Sequence, residues 1–237
     1  LTVSIFLLIA FVINETKVKY PLVPLRIFRI RNVTGGNLIM LPIVAGALGQ
    51  GFFLTLYLQN ILNYTPVQTG LSFLPVPIII GYISRKAPSL IEKYGFKPLL
   101  IAGTSITTIA VFMFSFLTVE STYLINILPA FLLMAVGFGL SFVSITVAAT
   151  AGVPADESGL ASGLINTSQQ IGGALGLAIL AVVATTAIAT AQASGQTLVQ
   201  ASLYGYQQVF VWAAGMMLSA ILVAIFVIQV PPAPTKK

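Results

Sequence analysis

The sequence predicts an all-α integral membrane protein, a bundle of six transmembrane helices, on three observations. Of 237 residues, 57% are hydrophobic and only 7% charged, against about 25% charged in a soluble domain. The mean hydropathy is +1.01. All 11 Lys and Arg residues lie in three stretches, Lys17 to Arg31, Arg85 to Lys97 and Lys236-Lys237, and the apolar runs between them hold none. A charge at mid-membrane costs about 2.5–3.5 kcal/mol on insertion scales, so such runs can cross a bilayer while the basic clusters stay at its surface.

Each element follows from a run of about 20 apolar residues, the length that spans a hydrocarbon core. Residues 1–13 are apolar but too short to span, and they lack an initiator Met, a basic leader and a small-residue cleavage site. They read as the end of a truncated transmembrane helix, and the chain as a fragment of something longer. Residues 14–36 carry five bases and one acid, Glu15, and form a basic cytoplasmic connection. Within it Arg26, Arg29 and Arg31 alternate with apolar residues after Pro21 and Pro24. That stretch is either a short amphipathic piece at the headgroups or an ordinary basic linker. The six spans are 37–59, 70–84, 98–117, 124–150, 159–187 and 206–230, which together make a six-helix unit over 37–230. The second is short and interrupted by Pro75 and Pro77, which remove backbone donors and bend a helix. Residues 231–237 are a cytoplasmic tail.

Charges in the connections, which played no part in locating the spans, give the topology. Under strict alternation 14–36, 85–97 and the two-Lys tail fall on one side, whereas 60–69 and 188–205 carry no charge and 118–123 has only Glu120. Cytoplasmic loops collect Lys and Arg, so the C-terminus faces the cytoplasm and the chain is a multi-pass protein of the cell membrane. The remaining inner connection, 151–158, holds Asp156 and Glu157, and acids count little in that rule. A net charge of +6 would suit nucleic acid, but the bases flank apolar runs and line no aromatic-rich groove, so no nucleic-acid partner is expected. With neither Cys nor His, disulfides, the commonest metal ligand and the commonest general base are missing. No metal, cofactor or enzyme chemistry is expected.

Polar and small residues inside the spans are the candidate functional groups. On a helical wheel of the fifth span, Gly159, Ser162, Gly163, Asn166, Gln169, Gln170, Gly173 and Gly176 fall within about 140° of arc. Leu160, Leu164, Ile171, Leu175 and Ala178 take the opposite side. The stripe is either a packing seam, with glycines allowing close approach and amides bonding to neighbours, or the wall of a water-filled cavity that meets cargo. Gln50 and Tyr57 in the first span and Ser141 and Ser144 in the fourth admit the same two readings. The glycines of 135–141 point to packing, and Thr104 to Thr108 to bonds back onto their own helix. None of the five acids sits inside an expected span, so these residues hold no buried group for carrying protons.

Six helices with both ends inside, preceded by a helix remnant and a basic connection, resemble the C-terminal half of a major facilitator superfamily transporter. The superfamily's loop motif, G-x-x-x-D-R-x-G-R-K, is echoed by Pro88-Ser-Leu-Ile-Glu92-Lys93-Tyr-Gly95-Phe-Lys97, with Pro88 for the first Gly and Phe96 for an Arg. Leu56-Tyr-Leu-Gln59, Thr65-Pro66, Gly70-Leu-Ser-Phe-Leu-Pro75 and the run from Val153-Pro154 through Glu157, Gly159, Gly163, Asn166, Gln170, Gly173 and Gly176 are similar to the fourteen-helix drug:proton antiporters. That resemblance implies export of amphipathic organic compounds in exchange for protons, with the proton-carrying carboxylates in an N-terminal half absent from these residues. It also makes residues 1–13 the end of the second of two extra helices between the halves. Glu92, Lys93, Gly95 and Lys97 would form a cytoplasmic loop latch, or else be solvated loop charges. Phe52, Phe53, Phe73 and Phe138 either supply adaptable apolar walls or are ordinary lipid-facing residues. Two further classes share some of these features. A seven-helix receptor or photoreceptor fits the number of apolar runs but not the short first run or the lack of a spanning Lys. An intramembrane enzyme lacks His, Cys and paired acids within the bilayer.

Overall fold

A computed structural model describes residues 7, 10, 13–18 and 23–229. The tail at 231–237 and most of 1–13 lie outside the described residues. Among the described residues there is no strand. Six helices are long and apolar enough to cross a membrane: α1 Arg31–Asn60, α2 Pro66–Tyr94, α3 Phe96–Phe116, α4 Tyr123–Thr150, α5 Ser158–Ala193 and α6 Leu198–Phe226. A 3₁₀ turn, Leu25–Arg29, leads into α1.

Every helix but α3 and α4 outruns its expected span by several residues, and each excess has a local cause. The first span and the connection 14–36 need correction, because α1 begins at Arg31 and Gly35 and Gly36 lie inside it. A Cβ on Gly35 would meet Ile228 Cδ1 at 2.8 Å, and one on Gly36 would meet Ala149 Cβ at 2.7 Å. Close contact with α6 and α4 thus holds helical two residues whose intrinsic propensity opposes it. The second span, expected at 70–84, runs instead from Pro66 to Tyr94 with a turn at Leu74. Thr65 and Gln68 form a capping box at its start, Pro66 takes the first turn, and Pro75 and Pro77 open the segment after the break. The stretch 85–97 is accordingly not a loop. Arg85 and Lys86 stand exposed on a continuing helix, and the link to α3 is Gly95 alone, at φ 82°. Long basic side chains reach the membrane surface from within a helix, so a charge does not mark its end. The uncharged connection expected at 188–205 shrinks to 194–197, where a second capping box, Thr197 with Gln200, starts α6.

α1 packs on α5 and α6, and α4 packs on α2 and α3; α1 meets α4, and α3 meets α6. The first and fourth helices therefore have matching surroundings, as in two interlocked three-helix repeats. The bundle is fastened at both ends. At the end without bases Tyr57 Oη donates to Thr118 O (2.7 Å), Gln207 Nε2 to Leu117 O (2.7 Å) and Tyr123 Oη to Ser72 O (2.8 Å). Below them Phe114 stacks with Phe131 and Phe210, each pair at 5.7 Å between ring centres, and Phe73 joins Phe131 at 5.0 Å. At the basic end Arg31 donates to Phe226 O (3.2 Å), and Asn32 exchanges two bonds with the Gln229 main chain (2.9 and 2.8 Å). Lys97 Nζ donates to Ile225 O (2.8 Å) and Ile228 O (2.7 Å). The last turn of α6 has no base of its own, so cations from α1 and α3 satisfy its terminal carbonyls.

Candidate functional site

The fifth helix carries the largest set of candidate groups, and the structure splits its stripe in two. Toward its C-terminal half the stripe is sealed against α1. A Cβ on Gly172 would strike the Leu41 main chain, one on Gly176 the Ala45 main chain, and one on Gly173 the Leu48 side chain. Gly172 and Gly176, four residues apart, are the small-residue pair that lets the two backbones touch. Ser168 Oγ donates to Asn37 Oδ1 (2.7 Å), and Asn37 Nδ2 donates to Val33 O (2.8 Å), so the seam ends in a closed polar pair.

Nearer the basic end the stripe is open. A Cβ on Gly159 or Gly163 would find no atom within 4 Å. Both therefore need correction as packing glycines within this bundle, because no helix of the described residues covers them. Asn166 and Gln170 are exposed and Gln169 is half-buried. Neutral amides both donate and accept, and turned toward hydrocarbon without partners they carry a desolvation cost. An open pair of them just ahead of an apolar run whose 18-residue mean hydropathy is 2.2 calls for water or protein beside it.

The other cavity candidates move inward. Tyr57 is fully buried and spends its hydroxyl on Thr118 O. Ser141, 1% exposed, sits at the crossing of α3 and α4, where a Cβ on Gly103 would meet its Oγ at 2.7 Å. Gln50 is 2% exposed, and the Gln50 Nε2, Ser141 Oγ and Ser144 Oγ atoms have no bonded partner among the described residues. These residues belong to the interior of the bundle, so the expectation that Gln50, Tyr57 and Ser141 line an open cavity is corrected. Phe53 and Phe138 are likewise buried, while Phe52 is exposed. The crossing of α3 and α4 is a packing seam, and Thr104, Thr107 and Thr108 bond back onto Leu100, Gly103 and Thr104 of their own helix.

Of the expected latch, Lys97 alone bonds across helices, to the end of α6. Glu92 and Lys93 stand exposed in the last turn of α2 with no ion pair among the described residues, and Lys93 Nζ lies 5.1 Å over the ring of Tyr94. A different pair, Arg26 with Glu157, ties the 3₁₀ turn to the start of α5. Sequence reading missed this pair, along with Asn32 and the Asn37–Ser168 bond. Their partners lie more than a hundred residues away, and no local pattern announces them.

Six apolar helices in two interlocked triplets, with polar groups concentrated at the ends and on one helix face, define an integral membrane bundle of the transporter type. The chain belongs to the Major Facilitator Superfamily, whose family model matches residues 3–177. It is 39% identical over 180 residues to the cephamycin export protein of Amycolatopsis lactamdurans, covering 74% of this chain and 37% of that protein. It is 33% identical over 233 residues to the puromycin resistance protein of Streptomyces alboniger, covering 94% and 46% respectively. A tetracenomycin C resistance and export protein of Streptomyces glaucescens is 29% identical over 182 residues, 77% of this chain and 34% of that protein. The chain thus spans less than half the length of these relatives. Membership in a transporter superfamily counts against both the seven-helix receptor and the intramembrane enzyme.

Proposed function

We propose that these residues form the C-terminal half of a proton-driven exporter of amphipathic organic molecules. The observation that carries the reading is the open amide face of α5, Asn166 and Gln170, which no helix of the described residues covers. Two helices are least covered within the bundle, α2 with 11% and α5 with 28% of their most apolar windows buried, and they flank α1 and α4. A second half of the transporter closes against those flanks, leaving a polar cavity where Asn166, Gln169 and Gln170 meet cargo. Neutral amides among apolar walls suit compounds of varied shape and little charge. Cephamycin and tetracenomycin C export and puromycin resistance, the activities that name the relatives, support that chemical class.

Gly159 and Gly163 then serve the close approach of the partner half, and Glu92 and Lys93 are charges that it can latch. The bases face the cytoplasm, and the C-terminus with them. Glu15, Glu92, Glu120, Asp156 and Glu157 all lie at helix ends or in connections, so the carboxylates that exchange protons belong to the rest of the transporter. Everted vesicles containing the full-length protein test this. Dye accumulation should require a pH gradient, and replacing Asn166 and Gln170 together by Leu should lower it by about tenfold, the value of one or two lost hydrogen bonds, with membrane insertion intact. Accumulation indifferent to the gradient refutes proton exchange, and full activity of the double variant refutes the cavity.

A further inference from the structure

At the basic end of the bundle a cleft of about 320 Å³ opens between α1 and α5, walled by Phe28, Leu38, Leu41, Leu164 and Ile171. Its polar lining groups are already satisfied within the protein. Thr34 Oγ1 donates to Phe28 O (2.6 Å), Thr167 Oγ1 to Gly163 O (3.0 Å), and Asn37 and Ser168 bond as described above. Nothing in the lining calls for a hydrogen-bonding guest, and a polar one would leave its own groups unpaired. The cleft suits a hydrocarbon chain.

The rim of the cleft differs in character. Phe28 belongs to the 3₁₀ turn Leu25–Arg29, whose Ile27 is fully buried against Val33 and Ala161. That anchor holds Arg26, Phe28 and Arg29 outward at the membrane surface. Arg26 is engaged by Glu157. Arg29, next to the residue that walls the cleft, pairs with no acid among the described residues. An exposed guanidinium one residue along the chain from a wall of an apolar slot matches one molecule abundant at that depth.

We propose that this cleft and Arg29 hold one anionic phospholipid, an acyl chain in the cleft and the phosphate at the guanidinium. A lipid chain is already in hydrocarbon before it enters, so the cleft contributes shape rather than hydrophobic gain. Selectivity therefore rests with the head group, and one Arg at the surface favours an anionic lipid by roughly fivefold. The proposal depends on the bundle spanning a membrane, not on what it transports or which way it faces.

The test uses the full-length protein in nanodiscs of equal phosphatidylglycerol and phosphatidylcholine, released and weighed by native mass spectrometry. One lipid should be retained, phosphatidylglycerol over phosphatidylcholine by about fivefold. Arg29→Gln, on an exposed residue, should bring that ratio near one. Leu164→Trp should fill the cleft and remove the retained lipid, and Leu38→Trp does the same from the opposite wall should the first variant fail to fold. Equal retention of both lipids, unchanged selectivity in Arg29→Gln, or a lipid still held by a filled cleft overturns the proposal. Loss or retention of transport moves none of these readouts, so a failure of the export reading stays separate.

Discussion

Lys97 shows how much one residue can do at the end of a helix bundle. Its ammonium meets two carbonyls at the end of α6, Ile225 O in the last turn and Ile228 O just beyond it, and it does so from the first turn of α3. The contact combines a charge-assisted hydrogen bond with a cation at a helix C-terminus, where the macrodipole is negative. Lys97→Met keeps the aliphatic stem and removes the charge. Because the site is only half-buried, the expected loss is about 1 kcal/mol, read as a lower thermal unfolding midpoint of the full-length protein in detergent. Lys97→Arg should recover most of it, since a guanidinium can reach the same carbonyls, and an unchanged midpoint in Lys97→Met would mean that the cap is idle.

At the scale of elements, two glycines thirteen positions apart on α5 give different expectations. Gly176 faces the Ala45 main chain, which cannot move aside for a methyl group, so Gly176→Ala should cost about 1–3 kcal/mol as an overpacked contact. Gly163 meets no atom of this bundle, so Gly163→Ala should cost less than Gly176→Ala, with helix propensity returning up to about 1 kcal/mol. Thermal midpoints of the two variants decide the matter, and equal loss in both would sink the division of the stripe. Gly163→Leu adds the functional arm: insertion should survive while efflux is abolished, and unchanged efflux would remove the role of this ridge in approaching the partner half. Hydropathy made the existence, number and order of the helices legible, because lipid forbids charge at mid-depth. It did not show the ends of α2, α5 and α6, because Arg85, Lys86 and the Ala, Thr and Gln of the uncharged ends sit on helix that projects beyond the apolar slab. α5 alone, with 36 residues, is about 54 Å long against a hydrocarbon core of about 30 Å. The candidate site was legible in part. The wheel singled out the helix that carries the open amide face, but an arc that holds Gly163 and Gly176 together cannot tell which of them a neighbour covers. Tyr57 looks the same in sequence whether it faces a cavity or a carbonyl.

For the whole molecule, the end-to-end asymmetry of charge is the property that fixes its placement. Arg26, Arg29, Arg31, Arg85, Lys86, Lys93 and Lys97 gather at one end, where Arg31 and Lys97 both reach the last turn of α6 and Arg26 reaches Glu157. The opposite end has Glu120 and no base among the described residues. A bundle so polarised is expected to insert with its basic end inside, because Lys and Arg resist translocation and acids hardly count. These 237 residues contain no Cys, so single reporters can be placed without interference once any others in the full-length protein are replaced. Ser89 is exposed at the basic end of α2, and Gln196 is exposed in the connection between α5 and α6 at the other end. A membrane-impermeant maleimide added to intact cells should label Gln196→Cys and leave Ser89→Cys untouched until the membrane is opened. Both sites are on turns or helix surfaces that a small reagent reaches, so accessibility across the bilayer is the only difference between them. Labelling of Ser89→Cys from outside would invert the bundle, put its bases in the wrong compartment and remove the basis for an inward-facing C-terminus.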